Sequence, residues 1–331
     1  MKRVVVTGGG GFIGSAIVRR LLAAGDRVTV IGRSKYPVLA ARGATCLQGD
    51  ISDREFMDRA FKGADLVFHV AAKAGIWGKK EEFYKTNVQG TKACIDSCRK
   101  NNVAALVYTS TPSVVFNGRD LQGVDENQPY AVHPQCHYAA TKIIAEQYVL
   151  QADSGGLRTT ALRPHLVWGP GDPHLVPRLI ERAGTGKLKI VGSGKNRIDI
   201  SYIDNVVQAH LLAAENLLGP GSAGGRPFFI GQNEPVMLWD WVNSLFTALG
   251  IERLKKRISF RTAFSVGTIL EITYAALHWS GEPPMTRFVA QQLAKSHWFS
   301  HVSARKVLGY TPKVSTEEGM RYLIGWLNES Y

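Results

Sequence analysis

The chain lacks an apolar run long enough to span a bilayer, although 45% of its 331 residues are hydrophobic. The longest candidate, residues 264–279, is short for a transmembrane helix and is interrupted by Glu271. Two basic residues precede the first apolar stretch, but nothing behind that stretch resembles the cleavage site of a signal peptide. These absences predict a cytoplasmic protein with room for a large core.

Cysteine is scarce, and its spacing fits neither a disulfide framework nor a metal site. The chain has four cysteines and no C-x-x-C pair. Cys94 and Cys98 lie one turn apart on a predicted helix, where packing is their expected role. Because no histidine cluster accompanies them, the sequence predicts no metal centre.

Acidic residues are outnumbered, with 27 Asp and Glu against 40 Lys and Arg and a formal net charge of +13. This excess is compatible with nucleic acid, an anionic membrane surface or acidic small molecules. The basic residues are scattered and form no DNA-binding motif, so nucleic acid is not expected and an anionic cofactor and substrate are favoured. Basic residues at 253–261 precede the apolar stretch 264–279. The favoured interpretation of these basic residues is a solvated face. The alternative is peripheral contact with a membrane.

The strongest positive signal is a glycine-rich turn within residues 1–14. The β-branched run Val4, Val5 and Val6 predicts a buried parallel strand, which four glycines end. From Phe12 and Ile13 onward, apolar residues recur at helical spacing, so the glycines join a strand to a helix N-terminus. Such a junction binds phosphate through unpaired amides and the positive end of the helix dipole. Two three-glycine registers fit, and spacing alone does not choose between Gly8/Gly11/Gly14 and Gly9/Gly11/Gly14.

A second predicted strand ends at Ile31 and is followed by Gly32 and Arg33. Gly32 stands where a chain that prefers NAD usually carries an acidic residue, and the arginine beside it suits a 2′-phosphate. The sequence therefore predicts NADP(H) as the preferred cofactor, with NAD(H) as the alternative.

Further predicted strands bring small and polar residues to the carboxyl edge of the sheet, where ligands collect in open α/β folds. His69, inside one of these strands, is expected to be packed rather than catalytic. The candidates at this edge are Asp50, Ile51, Ala71 and Ala72 for the cofactor, and Lys73 and Trp77 for the substrate.

Tyr138 and Lys142 lie one turn apart on a predicted helix and share a face. A ketone that accepts hydride needs a proton on its oxygen, and a phenol can give it if a nearby ammonium lowers its pKa. Thr111, at the end of a predicted strand, can hydrogen-bond the same oxygen. This set predicts carbonyl reduction or the reverse alcohol oxidation.

Together these residues resemble the extended short-chain dehydrogenase/reductases over nearly the whole chain. The resemblance selects the Gly8/Gly11/Gly14 register and implies that Tyr138 donates the proton and that Lys142 also binds the nicotinamide ribose. It further implies that Asn87 holds a proton-relay water and that the protein is a homodimer. The matching residues are the three glycines, Asp50, Asn87, Thr109-Ser110-Thr111, Tyr138, Lys142, Leu162-Arg163-Pro164 and Gly169-Pro170-Gly171.

Within that family, the chain resembles the 3β-hydroxysteroid dehydrogenase branch and, more narrowly, bacterial 2-alkyl-3-oxoalkanoate reductases of olefin biosynthesis. Sterol-4-carboxylate 3-dehydrogenases are similar but less close. Trp168 belongs to one of the matching segments and is a further candidate substrate contact. The segments are 71–77, 108–114, 168–172, 202–205 and 281–288.

The resulting prediction is a Rossmann-type doubly wound parallel sheet with a smaller C-terminal α+β substrate lobe. Residues 1–165, with returning segments around 190–215, would bind NADP, and residues 166–331, including 228–230, would form the lobe. The predicted reaction is NADPH-dependent reduction of the 3-oxo group of a hydrophobic 2-alkyl-3-oxoalkanoate, with a cation, Lys73, near its carboxylate. The alternatives are a 3β-hydroxysteroid or sterol-4-carboxylate 3-dehydrogenase, followed by a nucleotide-sensing protein or a sugar-nucleotide epimerase.

Overall fold

The computed structural model describes residues 1–279 and 281–330, so Ser280 and Tyr331 of the predicted lobe lie outside the described residues. The strands are β1 (Arg3–Thr7), β2 (Arg27–Gly32), β3 (Thr45–Gln48), β4 (Leu66–His69), β5 (Ala105–Thr109), β6 (Leu121–Val124), β7 (Arg158–Pro164), β8 (Val167–Trp168), β9 (Ile190–Val191), β10 (Arg197–Ile198), β11 (Ser201–Tyr202), β12 (Arg226–Ile230), β13 (Val236–Met237), β14 (Arg257–Ile258) and β15 (His297–Phe299). The helices are α1 (Phe12–Ala23), α2 (Pro37–Ala41), α3 (Arg54–Ala60), α4 (Lys80–Phe83), α5 (Gly90–Lys100), α6 (His137–Gln151), α7 (Leu175–Gly184), α8 (Ile203–Leu218), α9 (Leu238–Ala248), α10 (Phe260–Ala276), α11 (Arg287–Ala294), α12 (Val302–Leu308) and α13 (Thr316–Ser330).

The main sheet is parallel and has the strand order β12-β7-β5-β4-β1-β2-β3. Its strands are continuous apolar runs because helices cover both faces; Val4, Val5 and Val6 are buried. The chain order reverses at β1, between β2 and β4, and a crevice opens there at the carboxyl ends of the strands. The predicted Rossmann-type sheet is confirmed.

The later part of the chain contributes to this sheet as well as to the lobe. Helix α8 returns to pack against β5 and β7. Strand β12 pairs with β7 at the sheet edge, and its Phe228 and Phe229 are fully buried. The assignment of 228–230 to the substrate lobe is therefore wrong, because a short apolar strand does not reveal which sheet it joins.

Smaller sheets and the later helices build the lobe, with β13-β10-β15-β6, β11-β8 and β14-β9 as the strand orders. Within it, α10 packs closely on α11 because Gly267 has no side chain: a Cβ there would lie 2.6 Å from the carbonyl carbon of Thr286. In the described part of the chain, no helix has the length and apolar content needed to cross a membrane.

Candidate active site

A cavity of about 620 Å³ lies at the carboxyl edge of the main sheet, where the chain order reverses. The sheet edge lines one side, and residues that follow β7, together with α7 and α11, line the other. Its walls therefore combine polar groups near the strand ends with apolar side chains from the lobe. The predicted residues that line it are Gly8, Gly11, Phe12, Ile13, Gly14, Arg33, Asp50, Ile51, Ala71, Ala72, Thr111, Tyr138 and Lys142.

The glycine turn between β1 and α1 has the geometry of an anion cradle. Gly8 has a φ of +67°, which favours glycine, and its carbonyl accepts a hydrogen bond from the Gly11 amide at 2.9 Å. A Cβ at Gly14 would overlap the Gly8 carbonyl oxygen, whereas a Cβ at Gly11 would meet only that oxygen, at 3.3 Å, and otherwise fill the cradle. The first amides of α1 have no partner in their own helix and line the cavity. The geometry favours the Gly8/Gly11/Gly14 register, because Gly9 packs against Val30 instead.

At the far end of this cradle, Tyr36 fills the space above Gly32. A Cβ at Gly32 would overlap the Tyr36 hydroxyl, and one at Gly10 would overlap its ring. A side chain at position 32 would therefore have to displace the Tyr36 ring. Arg33 is exposed beside the cavity and forms no ion pair with any residue that the structure describes.

A buried hydrogen-bond chain positions the loop that carries Ala71 and Ala72. The Ala71 amide donates to the Thr7 hydroxyl, which donates to His69 Nδ1 at 2.6 Å. His69 Nε2 donates to Thr91, whose hydroxyl donates to the Asn87 carbonyl at 2.6 Å. Because carbonyl oxygens only accept, the last bond fixes the direction of the whole chain. His69 is thus packed, as the sequence predicts, and it orders the cavity edge.

Tyr138, Thr111 and Lys142 line one wall of the cavity. The Lys142 ammonium donates to the Thr109 carbonyl at 2.7 Å and lies 4.0 Å from the centre of the Tyr108 ring. Thr111 donates to the Ser113 hydroxyl and accepts from the Ser113 amide, both at 3.2 Å. The three groups therefore stand together where β5 ends and α6 begins.

Burial controls the protonation of this pair. It raises the pKa of Tyr138 to about 12, while the Thr111 hydroxyl acts in the opposite direction. It lowers the pKa of Lys142 to about 7, with Glu146 acting weakly against it. The expectation that Lys142 lowers the phenol pKa is not met here, because the same burial that raises the phenol pKa also disfavours the lysine charge.

A buried ion pair fixes α6 to the sheet. Glu146 accepts from Arg163 Nε and Nη2 of β7, with the shortest distance 2.5 Å, and from the Tyr130 hydroxyl at 2.8 Å. Glu146 lies one turn after Lys142, so this bidentate contact sets the rotation of the helix that carries Tyr138 and Lys142. In the sequence, Arg163 stands out only as part of a family motif.

Asn87 lies outside the cavity lining, in a π-helical turn (Tyr84–Gln89) between α4 and α5. Its side chain accepts from the Lys73 amide at 2.7 Å and donates to the Lys73 carbonyl and to Thr141. Its hydrogen-bond partners among the described residues do not include Tyr138 or Lys142, so it forms no hydrogen bond with either side chain. Asn87 therefore ties the cavity loop to α6.

The three substrate candidates do not line the cavity. The Lys73 ammonium pairs with Glu82 at 2.8 Å and lies over the Phe83 ring. Trp77 packs edge-on against Tyr274 of α10. Trp168 is fully buried against Tyr202 and Trp241. In this structure, the Lys73 and Trp168 side chains therefore contact protein partners rather than the cavity.

Comparison with known proteins agrees with this geometry. The model of the 3-beta hydroxysteroid dehydrogenase/isomerase family matches residues 5–262. The chain belongs to this family. The expected branch of the extended short-chain dehydrogenase/reductases is thereby confirmed, and the protein is an oxidoreductase.

Relatives of this family member span nearly its full length. It is 46% identical to a 2-alkyl-3-oxoalkanoate reductase of Stenotrophomonas maltophilia, over 97% of this chain and 98% of the relative. A protein of the same name from Shewanella oneidensis is 44% identical, over 98% and 86%. A mouse sterol-4-alpha-carboxylate 3-dehydrogenase, decarboxylating, is 35% identical, over 96% and 89%. MoeE5, solved in complex with UDP-glucose and NAD, is similar in structure, with a TM-score of 0.77, 26% identity and 99% of both chains covered.

A nicotinamide dinucleotide fits the cavity of this family member. The cradle at Gly11, the unpaired α1 amides and the cavity-facing Arg33 suit its phosphates, and the buried Ser110 hydroxyl has no partner among the described residues. In the part of the chain that the structure describes, no group of three or more metal-ligating side chains could hold a metal ion.

Residues that the sequence analysis missed line the opposite wall of the cavity. One of them is the neutral His165, whose neutral partner His297 is not itself part of the lining: His297 Nε2 donates to the Gln292 carbonyl, so its Nδ1 accepts from His165 Nε2 at 2.7 Å. Burial lowers the pKa of both histidines, which leaves His165 Nδ1 as an acceptor. The sequence signal for this histidine pair is limited to the position of His165, which directly follows Arg163-Pro164 of the family motif. Further missed residues on this wall are Leu166, Asp172, His174, Leu175, Phe288, Val289, Gln292 and Leu293, and on the sheet side Tyr36 and Ser113.

Proposed function

We propose that this family member catalyses the NADPH-dependent reduction of a hydrophobic 2-alkyl-3-oxoalkanoate to the 3-hydroxy acid. The observation that carries the proposal is the placement of Tyr138, Thr111 and Lys142 on one wall of a cavity whose opposite wall is largely apolar. Relatives named for this reaction, at 44–46% identity over nearly the whole chain, support it.

In the proposed mechanism, bound NADPH supplies a hydride to C3 of the substrate. The Tyr138 hydroxyl gives its proton to the ketone oxygen, so that C=O becomes CH–OH. The Thr111 hydroxyl orients the same oxygen, and Lys142 borders the pocket for the cofactor ribose. Reduction also protects the acid, because a β-keto acid loses carbon dioxide readily and the β-hydroxy acid does not.

The cavity favours an elongated apolar substrate over a sugar. Phe288, Val289 and Leu293 of α11 line the cavity together with Leu166 and Leu175. Ser113, beside Thr111, and Gln292 of α11 are uncharged polar side chains that line the cavity, and they are suited to a single carboxylate. Lys73 is not part of the proposal, since Glu82 already pairs with it.

NADPH is the proposed cofactor because Gly32 provides no ribose-binding carboxylate and Arg33 is available for a 2′-phosphate. Cells keep NADPH reduced, which favours the reductive direction. A sterol-4-carboxylate 3-dehydrogenase remains the second candidate, on the strength of the mouse relative at 35% identity. Such an enzyme would use Tyr138, Thr111 and Lys142 to oxidise a 3-hydroxyl group, which is the reverse of carbonyl reduction.

The test is NADPH consumption with a freshly prepared long-chain 2-alkyl-3-oxoalkanoate, for the wild type and Tyr138→Phe. We expect the variant to lose about 10²–10⁴-fold in kcat with little change in NADPH affinity, because only the transferable proton is removed. Tyr148→Phe, which alters another tyrosine of α6 outside the cavity lining, is the matched control.

Three outcomes would contradict the proposal. Wild-type turnover in the Tyr138→Phe variant would show that Tyr138 is not the proton donor. Turnover only of a 4-carboxysterol with NADP⁺ or NAD⁺ would establish the second candidate. Tightly bound cofactor with no net consumption would indicate an epimerase.

A further inference from the structure

The outer face of α10 and of the turn after it is apolar and exposed. Five large apolar side chains in residues 266–279 are between 41% and 64% exposed. Single exposed apolar residues are ordinary on protein surfaces, but a contiguous group marks a contact surface. The five are Val266, Ile269, Ile272, Leu277 and Trp279.

The helix period separates this face from the packed side of α10. Ala263 and Gly267 are the buried positions, and Gly267 contacts the backbone at the start of α11. Glu271 is the acidic residue of α10, and it is turned inward: its carboxylate accepts from the Arg287 amide at 2.7 Å and from Arg287 Nε at 2.6 Å. The exposed face of α10 therefore presents no free carboxylate.

Cations flank the amino-terminal end of this face. Arg261 lies in the first turn of α10, at the same angular position as Ile272, and the segment before the helix exposes further basic side chains. Lys255 pairs with Glu252 at 3.0 Å. Arg253, Lys256, Arg257 and Arg261 have no carboxylate within ion-pair distance among residues 1–279 and 281–330. We call Arg253, Lys255, Lys256, Arg257 and Arg261 the basic cluster.

We propose that the exposed face of α10, with the basic cluster, docks the protein on an anionic lipid bilayer. An apolar helix face that enters the acyl boundary, flanked by cations that attract lipid headgroups, is the arrangement of interfacial helices. Charge complementarity favours the bilayer over a second copy of this chain, because this face offers no unpaired carboxylate to meet the cations of the other copy.

The proposed docking face is connected to the cavity. Helix α11, on which α10 packs, lines the cavity with Phe288 and Val289. Aromatic rings continue from Trp279 to Tyr274 and on to Trp77 in the loop at the cavity edge, with centroid distances of 5.2 and 6.4 Å. Docking would therefore hold this edge near the membrane. That consequence rests on the proposed function, since a long-chain acid partitions into the bilayer.

Vesicle co-sedimentation tests the surface without using activity. We expect the wild type to bind phosphatidylglycerol-rich vesicles at least about tenfold more strongly than phosphatidylcholine vesicles, and less strongly as salt is raised. Ile269→Glu/Ile272→Glu should weaken binding by at least about tenfold, because it places carboxylates in the acyl boundary. Lys255→Glu/Lys256→Glu should remove the preference for the anionic lipid.

Val302→Glu is the matched control, since Val302 is an exposed apolar residue on α12, away from α10. Its binding should equal that of the wild type. Wild-type protein that stays in the supernatant with both vesicles overturns the proposal, as does an Ile269→Glu/Ile272→Glu variant that binds normally. A dimer that this variant converts to monomers would assign the face to a second copy instead. Turnover of a short, water-soluble 3-oxo acid should be unchanged in every variant, so a failure of docking and a failure of the reductase function are distinguishable.

Discussion

Lys142 is a buried lysine without a carboxylate partner among the described residues, because Glu146, one turn away, binds Arg163. Its ammonium has only the Thr109 carbonyl and the Tyr108 ring to replace water. Burial therefore lowers the pKa of Lys142 to about 7. In the cofactor-free protein, this lysine opposes folding whenever it must be charged.

The expected consequence is a stability that rises with pH. Between about pH 7 and the unfolded lysine pKa of about 10.4, the unfolded chain binds a proton that the folded chain releases. The free energy of unfolding should thus increase across this window by up to about 1.4 kcal/mol per pH unit from this group. Urea unfolding as a function of pH measures the slope, which Lys142→Met should reduce. Lys306→Met, at an exposed position, should leave it unchanged; equal slopes in all three proteins would contradict this account.

Tyr138 and Lys142 line the cavity together, and this placement depends on local spacing. Tyr138 and Lys142 share a face because they are one helical turn apart, whatever the rest of the chain does. Lys73 and Trp168 could not be placed in this way. Whether their side chains reach the cavity depends on Glu82 in one case and on Tyr202 and Trp241 in the other.

At the scale of elements, the junction of β1 and α1 depends on three glycines for different reasons. Gly8 adopts a positive φ, Gly11 keeps the cradle open, and Gly14 allows α1 to approach the Gly8 carbonyl. The sequence predicts this junction well, since the order strand, glycines, helix is local. It does not predict the π-helical turn of Tyr84–Gln89. Asn87 lies in this turn, and its hydrogen bonds join it to Lys73 and Thr141, which belong to other elements.

Gly14→Ala should disrupt this junction, because the new Cβ would overlap the Gly8 carbonyl oxygen and neither group can rotate away. We expect a loss of about 1–3 kcal/mol in the free energy of unfolding, together with much weaker NADPH binding. Urea unfolding and NADPH fluorescence measure the two effects. Gly325→Ala in α13 is the control: nothing lies within 4 Å of its Cβ, so it should gain about 0.5–1 kcal/mol and bind NADPH normally. A Gly14→Ala protein as stable as the wild type would show that the junction can relax.

At the scale of the whole molecule, the cavity forms only when segments that are far apart in the sequence come together. Its cofactor side comes from the strand ends of the first half of the chain, and its other wall comes from α7 and α11. His165 and Gln292 are joined through His297, although no sequence pattern around either residue reveals the other. This is why the wall could not be predicted from the sequence. The net charge favours an anionic cofactor, and the motifs predict the chemistry. The shape of the substrate wall can be described only from the tertiary structure.

Cofactor choice is best tested on the stability of the whole molecule. A ligand that binds only the folded state at one hundred times its Kd stabilises it by about 2.7 kcal/mol, so equal concentrations of NADPH and NADH should raise Tm unequally. We expect the larger shift with NADPH. Arg33→Ala should remove the difference by weakening NADPH binding about tenfold or more while leaving NADH unaffected, because only NADPH carries the 2′-phosphate. Arg42→Ala, which removes an exposed arginine outside the cavity lining, should keep the wild-type pattern. Equal shifts in the wild type, or a preference that survives in Arg33→Ala, would refute the role of Arg33 without affecting the assignment of Tyr138.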